Sequence, residues 1–503
     1  MNRVNRLRLI NTVFINVLSQ IAQRGNDVSN QSASRTLNHG ETGKAILLMT
    51  TAPPSNAPWY QGKKLPPLGL SYVAASLETA GFHVEMLDNY LLNKPIDEVK
   101  QLVAGLNPVI VGITCGSATY RRCLESAKAV KETMPSCKVV VGGWHASYLP
   151  DSLLENPEVD YVVMGEGERA MAELARHITA GKNEDDLGEI AGVGYKHNGV
   201  LAKNAPQFIS NMDEIPFPAR HLLPMHFYDR TIEFLKAKPA DVMNISRGCP
   251  FSCAFCETKK LWGNACRMFS PARVLDEVRY MVEKFGTRGI YFINDNFTIK
   301  KKQTEELCDL LNKSGLDLEW VCDTRTDLVN RELLEKMRDA GCKAIWFGVE
   351  SGSQRVLKRI NRTITLEQTE NAFRLCKQIG IKVACSFMLG FPDETREDLE
   401  ATRKFADKLD PDWCQFNVFI AYPDSSLYQE ILQKGTYDRL DDFLLTVKTD
   451  EFDYNSLMAI QRRFFREHNG APKRVIRRIR REGVLNFVKR RLGSGTAGNA
   501  GMA

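Results

Sequence analysis

Twice along this chain, short apolar runs alternate with longer stretches whose apolar positions recur every three or four residues. The first series begins at Ala45–Thr50, apolar on both faces as a buried strand is. Gly69–Ala80 follows with Leu70, Val73, Ala74 and Leu77 on one helical face, and Gly81 stands where a helix stops. Further strands are expected at Val84–Leu87, Val109–Thr114, Lys138–Val141 and Val159–Met164, with helical stretches between them. Five short strands separated by helices specify a doubly wound parallel sheet, whose ligands bind beyond the carboxyl ends of the strands. The second series has strands at Val242–Ser246, Gly289–Asn294, Leu318–Asp323, Ala344–Val349, Val383–Leu389 and Cys414–Ile420. Six β/α units fall short of a closed eightfold barrel and suit a partial (β/α)6 barrel.

The chain is therefore expected to be α/β, with boundaries at residues 44–185 for the first sheet and 241–425 for the barrel. Residues 186–240 read as a connector, punctuated by prolines in Met212-Asp213-Glu214-Ile215-Pro216-Phe217-Pro218. Residues 426–492 read as helical and basic, and 493–503 as a disordered Gly/Ala/Ser-rich tail. Residues 1–43 read as a disordered or leader-like extension: Arg3, Arg6, Arg8 and Arg24 occur without an acidic residue, followed by an Asn/Ser/Gln-rich stretch. Asn11, Thr12 and Asn16 break its apolar run, which argues against a secretory signal.

Composition narrows the class. Of 503 residues, 43% are hydrophobic and 25% charged, and no apolar run is long enough to span a bilayer. The net charge of +6 is uneven: twelve Lys/Arg against two Glu lie between Ala459 and Gly493, leaving the rest slightly acidic. That distribution removes the case for a nucleic-acid-binding body. Thirteen cysteines, an odd number mostly set singly in apolar segments, read as the thiols of a reduced cytoplasmic protein.

Three cysteines are different. Cys249-Pro250-Phe251-Ser252-Cys253-Ala254-Phe255-Cys256 directly follows the first strand of the barrel. Three thiolates on one loop can hold three corners of a cubane iron–sulfur cluster, and the missing fourth leaves one iron open. Zinc is the chief rival, yet structural zinc wants four protein ligands in paired spacing, and Cys266 is poorly spaced as a fourth.

This spacing, with an aromatic before the last Cys, resembles the radical S-adenosylmethionine (SAM) superfamily. The resemblance implies a 4Fe–4S cluster on Cys249, Cys253 and Cys256, with SAM held at the open iron and cleaved to a 5′-deoxyadenosyl radical. It also implies SAM contacts from Phe255 in the loop, Asp295 after the second barrel strand, Arg325 after the third and Glu350 at the end of the fourth. Polar residues at the C-terminal mouth of barrel strands are ligand positions by geometry.

Three segments of the first sheet lie at strand or helix ends: Pro66-Pro67-Leu68-Gly69-Leu70, Gly142-Gly143-Trp144-His145-Ala146-Ser147 and Gly165-Glu166-Gly167-Glu168. Glycine there lets backbone approach a large flat ligand. In this order ahead of the cysteine loop, they resemble the Rossmann-like cobalamin-binding domain of cobalamin-dependent radical SAM enzymes, over roughly residues 45–428. The resemblance implies cobalamin contacts from Leu68, Gly69, Gly142, Gly143, Trp144, His145, Gly165 and Glu166. Trp144 or His145 would face the corrin, with packing as the alternative role. The Asp-x-His-x-x-Gly pattern that supplies a His beneath cobalt is absent.

The implied activity is methylation of an unactivated carbon of a small-molecule, lipid or tetrapyrrole-like substrate, one SAM supplying the methyl group and a second the radical. The alternatives are oxidative cyclisation or rearrangement with the same cofactors and, in another class, a non-catalytic cobalamin or redox sensor. An external electron donor of the flavodoxin or ferredoxin type is implied. The basic segment Lys473–Arg491 reads either as a peripheral membrane contact of a cytoplasmic protein or as a helix docked on the barrel.

Overall fold

The computed structural model describes residues 45–53, 64–423, 425–441 and 443–482. The expected extension over 1–43 and the tail 493–503 lie outside these residues.

The first sheet is built on β1 (Ala45–Thr50), β2 (His83–Asp88), β3 (Ile110–Thr114), β4 (Lys138–Gly142) and β5 (Tyr161–Val163), in the order β2-β1-β3-β4-β5, all parallel. The period-2 alternation of β1 divides its apolar residues between two cores. Ile46 and Leu48 pack with Ala74 and Leu77 of α1 (Leu68–Thr79), while Leu47 and Met49 pack with Val99 and Val103 of α2 (Ile96–Leu106) and with Ala127 of α3 (Tyr120–Thr133). Helices on both faces make the sheet doubly wound, and the 2-1-3 order puts the strand-order reversal between β1 and β3.

One boundary moves. The connector does not begin at 186, because β6 (Val193–His197) and β7 (Val200–Lys203) add an antiparallel hairpin beyond β5. Its turn is Asn198-Gly199, both left-handed, the pair that a two-residue hairpin turn favours.

The barrel sheet has six parallel strands in sequential order: β8 (Ala240–Met243), then β11 (Gly289–Phe292), β12 (Glu319–Thr324), β13 (Cys342–Glu350), β14 (Lys382–Leu389) and β15 (Trp413–Val418). Between β8 and β11 a two-stranded ribbon, β9 (Ser246–Arg247) and β10 (Arg267–Met268), brackets the cysteine loop. Ile290, Phe292, Trp320, Cys322, Ile345, Phe347, Phe387 and Phe416 alternate onto the outer face, where they pack with Leu275, Leu307, Met337 and Phe373 of the surrounding helices. The alternating inner positions Tyr291, Asp323, Trp346, Ser386, Met388 and Asn417 are only half-buried and line the lumen.

The C-terminal region is not helical throughout. Ile420–Ala421, Leu444–Val447 and Tyr437–Asp441 form a small antiparallel sheet before helices Tyr454–Asn469 and Pro472–Glu482. The basic helix uses Arg474 and Arg477 on Asp407 and Asp410 of the barrel, and Arg478 lies 5.2 Å over the Trp413 ring. That side of the helix is docked. Among the described residues no helix is long and apolar enough to cross a membrane.

Candidate active site at the cysteine loop and the first sheet's carboxyl edge

Arg247 and Arg267 stand opposite each other in the β9–β10 ribbon, so residues 248–266 form a loop closed at its neck. Gly248 has φ +91°, and a Cβ there would strike the carbonyl oxygen of Ala265. The neck therefore requires glycine. Cys253 is buried, Cys249 half-buried and Cys256 exposed.

Each sulfur meets a polar group from a different element. Asn296 Nδ2 donates to Cys249 Sγ at 3.6 Å, Arg362 Nη1 to Cys253 Sγ at 3.5 Å, and Thr258 Oγ1 lies 3.2 Å from Cys256 Sγ. Burial pushes the Cys249 thiol up from its ordinary value, and the Cys256 sulfur, desolvated although the residue as a whole is exposed, is raised as well. The Asn296 and Arg362 donors suit sulfurs that carry negative charge, as cluster thiolates do. No three His, Cys, Asp or Glu side chains among the described residues converge on a single ion. Cys266 is half-buried, and burial raises its thiol to about 11.

Three of the expected SAM residues gather round this loop. Asp295 accepts from the Gly248 N–H at 2.9 Å and from Thr258 Oγ1 at 3.3 Å. Arg325, 1% exposed, is held by Asp327 at 2.8 and 2.9 Å, lies 3.6 Å over the Phe251 ring and reaches to 4.0 Å from Cys253 Sγ. Glu350 ends β13 with φ +70°, a left-handed conformation that a non-glycine adopts only when its surroundings impose it. Burial raises its carboxyl above the usual range, against the opposing pull of Arg362, 3.5 Å away, and of Arg325. Phe255 turns instead toward an apolar cluster, 5.8 Å from Phe391.

Two residues here escaped sequence reasoning. Arg362 donates to the Gly348 carbonyl at 2.6 Å as well as to Cys253, and its Nε is buried with no partner. Only its place twelve residues beyond Glu350, after a short helix, could have drawn attention to it. Glu394 accepts from the Gly390 and Phe391 N–H groups at 2.6 and 3.1 Å and so fixes the turn after β14. The Gly390–Glu394 segment at a strand end was the available signal.

The first sheet's edge lies close by. Gly143 has φ +95°, and a Cβ would meet Thr114 Oγ1 at 2.8 Å and the Cys115 carbonyl at 2.9 Å, so this approach also needs glycine. Gly69 and Trp144 are exposed, Trp144 at 61%, while Leu68, Gly142 and Gly165 are half-buried at the same edge.

Two expected cobalamin contacts are corrected. The His145 ring is fully buried, with its nitrogens 3.1 Å from Ser117 Oγ and 2.9 Å from Ser152 Oγ, and it packs on Tyr120 and Phe443. It turns inward because it is the second residue of a short helix (Trp144–Tyr148) whose exposed first position is taken by Trp144. Glu166, whose side chain is 0% exposed, spends its carboxylate on Arg247, Arg267 and the Ile209 N–H. Its charge is neutralised inside the protein and does not face a ligand.

A cavity of about 320 Å³ opens beyond β4 and β5, lined by Ser147, Tyr148, Ser152, Gly165 and Lys203, and by Lys260 of the cysteine loop. Tyr148 Oη donates to the Glu257 carbonyl at 3.5 Å, beside Cys256. Gly165 of the glycine-rich edge and Lys260 of the cysteine loop thus line one cavity.

Comparison with known proteins agrees with this geometry. Residues 61–175 match the B12 binding domain and residues 243–406 the radical SAM superfamily. The chain is 34% identical over 390 residues to an uncharacterized methyltransferase, PH0819, of Pyrococcus horikoshii, covering 77% of this chain and 83% of that one. It is 30% identical over 413 residues to the anaerobic magnesium-protoporphyrin IX monomethyl ester cyclase of Rubrivivax gelatinosus, covering 80% and 74%. The radical SAM methyltransferase TsrM of Kitasatospora setae, solved with cobalamin and a [4Fe–4S] cluster, shares the fold with a TM-score of 0.65 at 19% identity, over 79% of each chain.

Proposed function

Because the chain belongs to the cobalamin-dependent radical SAM enzymes, whose cofactors are a 4Fe–4S cluster, SAM and cobalamin, we propose that it methylates an unactivated carbon of a small molecule. The observation that carries this reading is the contact between the two modules: Tyr148, from the edge built for a flat ligand, donates to the Glu257 carbonyl of the cysteine loop beside Cys256. Methyl transfer is favoured over cyclisation by the higher identity to a relative named as an uncharacterized methyltransferase, 34% against 30% for the cyclase.

Bound together, the cofactors supply a carbon radical and a methyl donor, and the protein orients them and excludes water. Cys249, Cys253 and Cys256 would hold the cluster. Asp295 and Glu350 would accept hydrogen bonds from SAM, and the Arg325 and Arg362 cations would balance negative charge beside Cys253. Gly142 and Gly143 would allow the corrin close to the backbone, and Trp144 would offer its ring to it. His145, sealed in the core, would not reach a bound cobalamin. The lumen, with Trp346 and Met388 beside Tyr291, Asp323 and Asn417, suits a substrate of mixed apolar and hydrogen-bonding character. An external donor of the flavodoxin or ferredoxin type would supply the electrons that the cluster needs.

The test is anaerobic incubation of the reconstituted enzyme with candidate substrates and methyl-deuterated SAM. Methylation places the label in the product by mass spectrometry. A dehydrogenated or cyclised product without label establishes the second reading, oxidative cyclisation, which the 30% identical cyclase favours.

A further inference from the structure

The loop carrying the three cysteines leaves and re-enters the barrel between Arg247 and Arg267, two cations facing each other in a largely buried place. Their carboxylate partners come from the first module. Glu166 Oε1 accepts from Arg247 Nη1 at 2.9 Å and from Arg267 Nη1 at 2.9 Å; its Oε2 accepts from Arg267 Nη1 at 2.8 Å and from the Ile209 N–H at 2.6 Å. Glu168 takes the other branch of Arg247. The side chains are 0%, 6%, 5% and 12% exposed for Glu166, Glu168, Arg247 and Arg267, so water screens little of the interaction. Tyr72 and Trp262 flank Arg247 at 5.4 and 5.0 Å, and Phe208 covers Arg267 at 5.2 Å. Two carboxylates and two guanidiniums make the group neutral. From Arg247 the chain passes straight to Gly248, whose N–H binds Asp295, and then to Cys249.

We propose that Glu166, assisted by Glu168, is the positioning residue of the cluster loop: the cobalamin-binding module supplies the negative charge that closes the neck from which the cluster hangs. Without that charge two buried cations repel across the ribbon and the neck opens, since a buried pair that loses one partner leaves an uncompensated charge. The Gly165–Glu168 segment thus has a task apart from cobalamin contact. This inference rests on the cofactor assignment above.

The experiment compares full-length wild type, Glu166→Gln, Arg267→Lys and the control Arg169→Gln after anaerobic reconstitution with iron, sulfide and cobalamin. Arg169 pairs with Glu214 at the surface, with half of each side chain exposed, and its variant should match wild type. Glu166→Gln should keep cobalamin with an unchanged cob(II)alamin spectrum. It should lose half or more of its iron, or show a reduced-cluster EPR signal that no longer shifts on adding SAM. Arg267→Lys keeps the charge but not the guanidinium fork; it should show the same defect in weaker form, and it decides the matter if Glu166→Gln does not fold. Wild-type iron content and a wild-type EPR response to SAM in both variants, whatever their melting temperatures, would overturn the proposal. A wild-type protein that takes up no cluster overturns the cofactor reading together with it.

Discussion

Glu394 is a carboxyl group that the fold favours in its neutral form, and its replacement by glutamine has a pH-dependent consequence. The side chain is 3% exposed, one oxygen accepting from the Gly390 and Phe391 N–H groups and the other, Oε1, buried without a partner. Burial raises its pKa from 4.5 to about 8 against the opposing backbone hydrogen bonds; Asp398 adds to the rise and Arg355 counters it. Because the folded value exceeds the unfolded one, the native state binds this proton more tightly. Its contribution is complete below pH 4.5 and is lost as pH climbs to about 8. At about 1.4 kcal/mol per pH unit the loss comes to about 5 kcal/mol. Glu394→Gln removes the titration while keeping an acceptor for the two N–H groups, at a constant cost of about 1–3 kcal/mol for the amide placed where Oε1 lacks a partner. Anaerobic thermal unfolding from pH 5 to pH 8.5 should therefore show the variant gaining on wild type. The relative shift is on the order of 10 °C, at about 2–4 °C per kcal/mol for a unit of this size. Since Phe391 packs against Phe255 of the cysteine loop, the same pH rise should loosen that loop in wild type first. Midpoints that run parallel across this range would refute the reasoning.

Other perturbations separate the two modules. The triple change of Cys249, Cys253 and Cys256 to Ala should abolish the binding of about four irons per chain while cobalamin stays bound, as checked by iron analysis and absorption. Glu350→Ala should weaken SAM binding roughly tenfold or more, the loss of one charge-assisted hydrogen bond at about 1.5–3 kcal/mol, with cobalamin retention unchanged in equilibrium dialysis. Trp144→Ala should lower cobalamin retention with little effect on stability, because the ring is exposed; His145→Ala should lower the melting temperature yet leave the cob(II)alamin EPR spectrum free of any change in nitrogen splitting.

The sequence carried the strands well, because β1, β3 and β14 are continuous apolar runs in parallel sheets and need no partner to be recognised. The cysteine loop was equally legible, since three cysteines within eight residues directly after a strand stand apart from the ten set elsewhere in the chain. What lay hidden depends on tertiary approach. Arg362 reaches Cys253 across 109 positions, and Glu166 meets Arg267 across 101, distances at which local pattern says nothing. Glu166 and His145 were read as ligand contacts because they sit at strand ends, yet a strand end can also face a neighbouring module or the core. The hairpin after β5 is different: Asn198-Gly199 announced it, and the small sheet after Ala421 is built from strands too short and polar to show a period.

The most direct test of the account is the stoichiometry of SAM consumption during turnover, with the reconstituted enzyme, its substrate and an external reductant under strict anaerobiosis. Methylation driven by both cofactors consumes two SAM per product, so S-adenosylhomocysteine and 5′-deoxyadenosine should accumulate in near-equal amounts, each matching the methylated product. Formation of 5′-deoxyadenosine alone, with an unmethylated product, would contradict it.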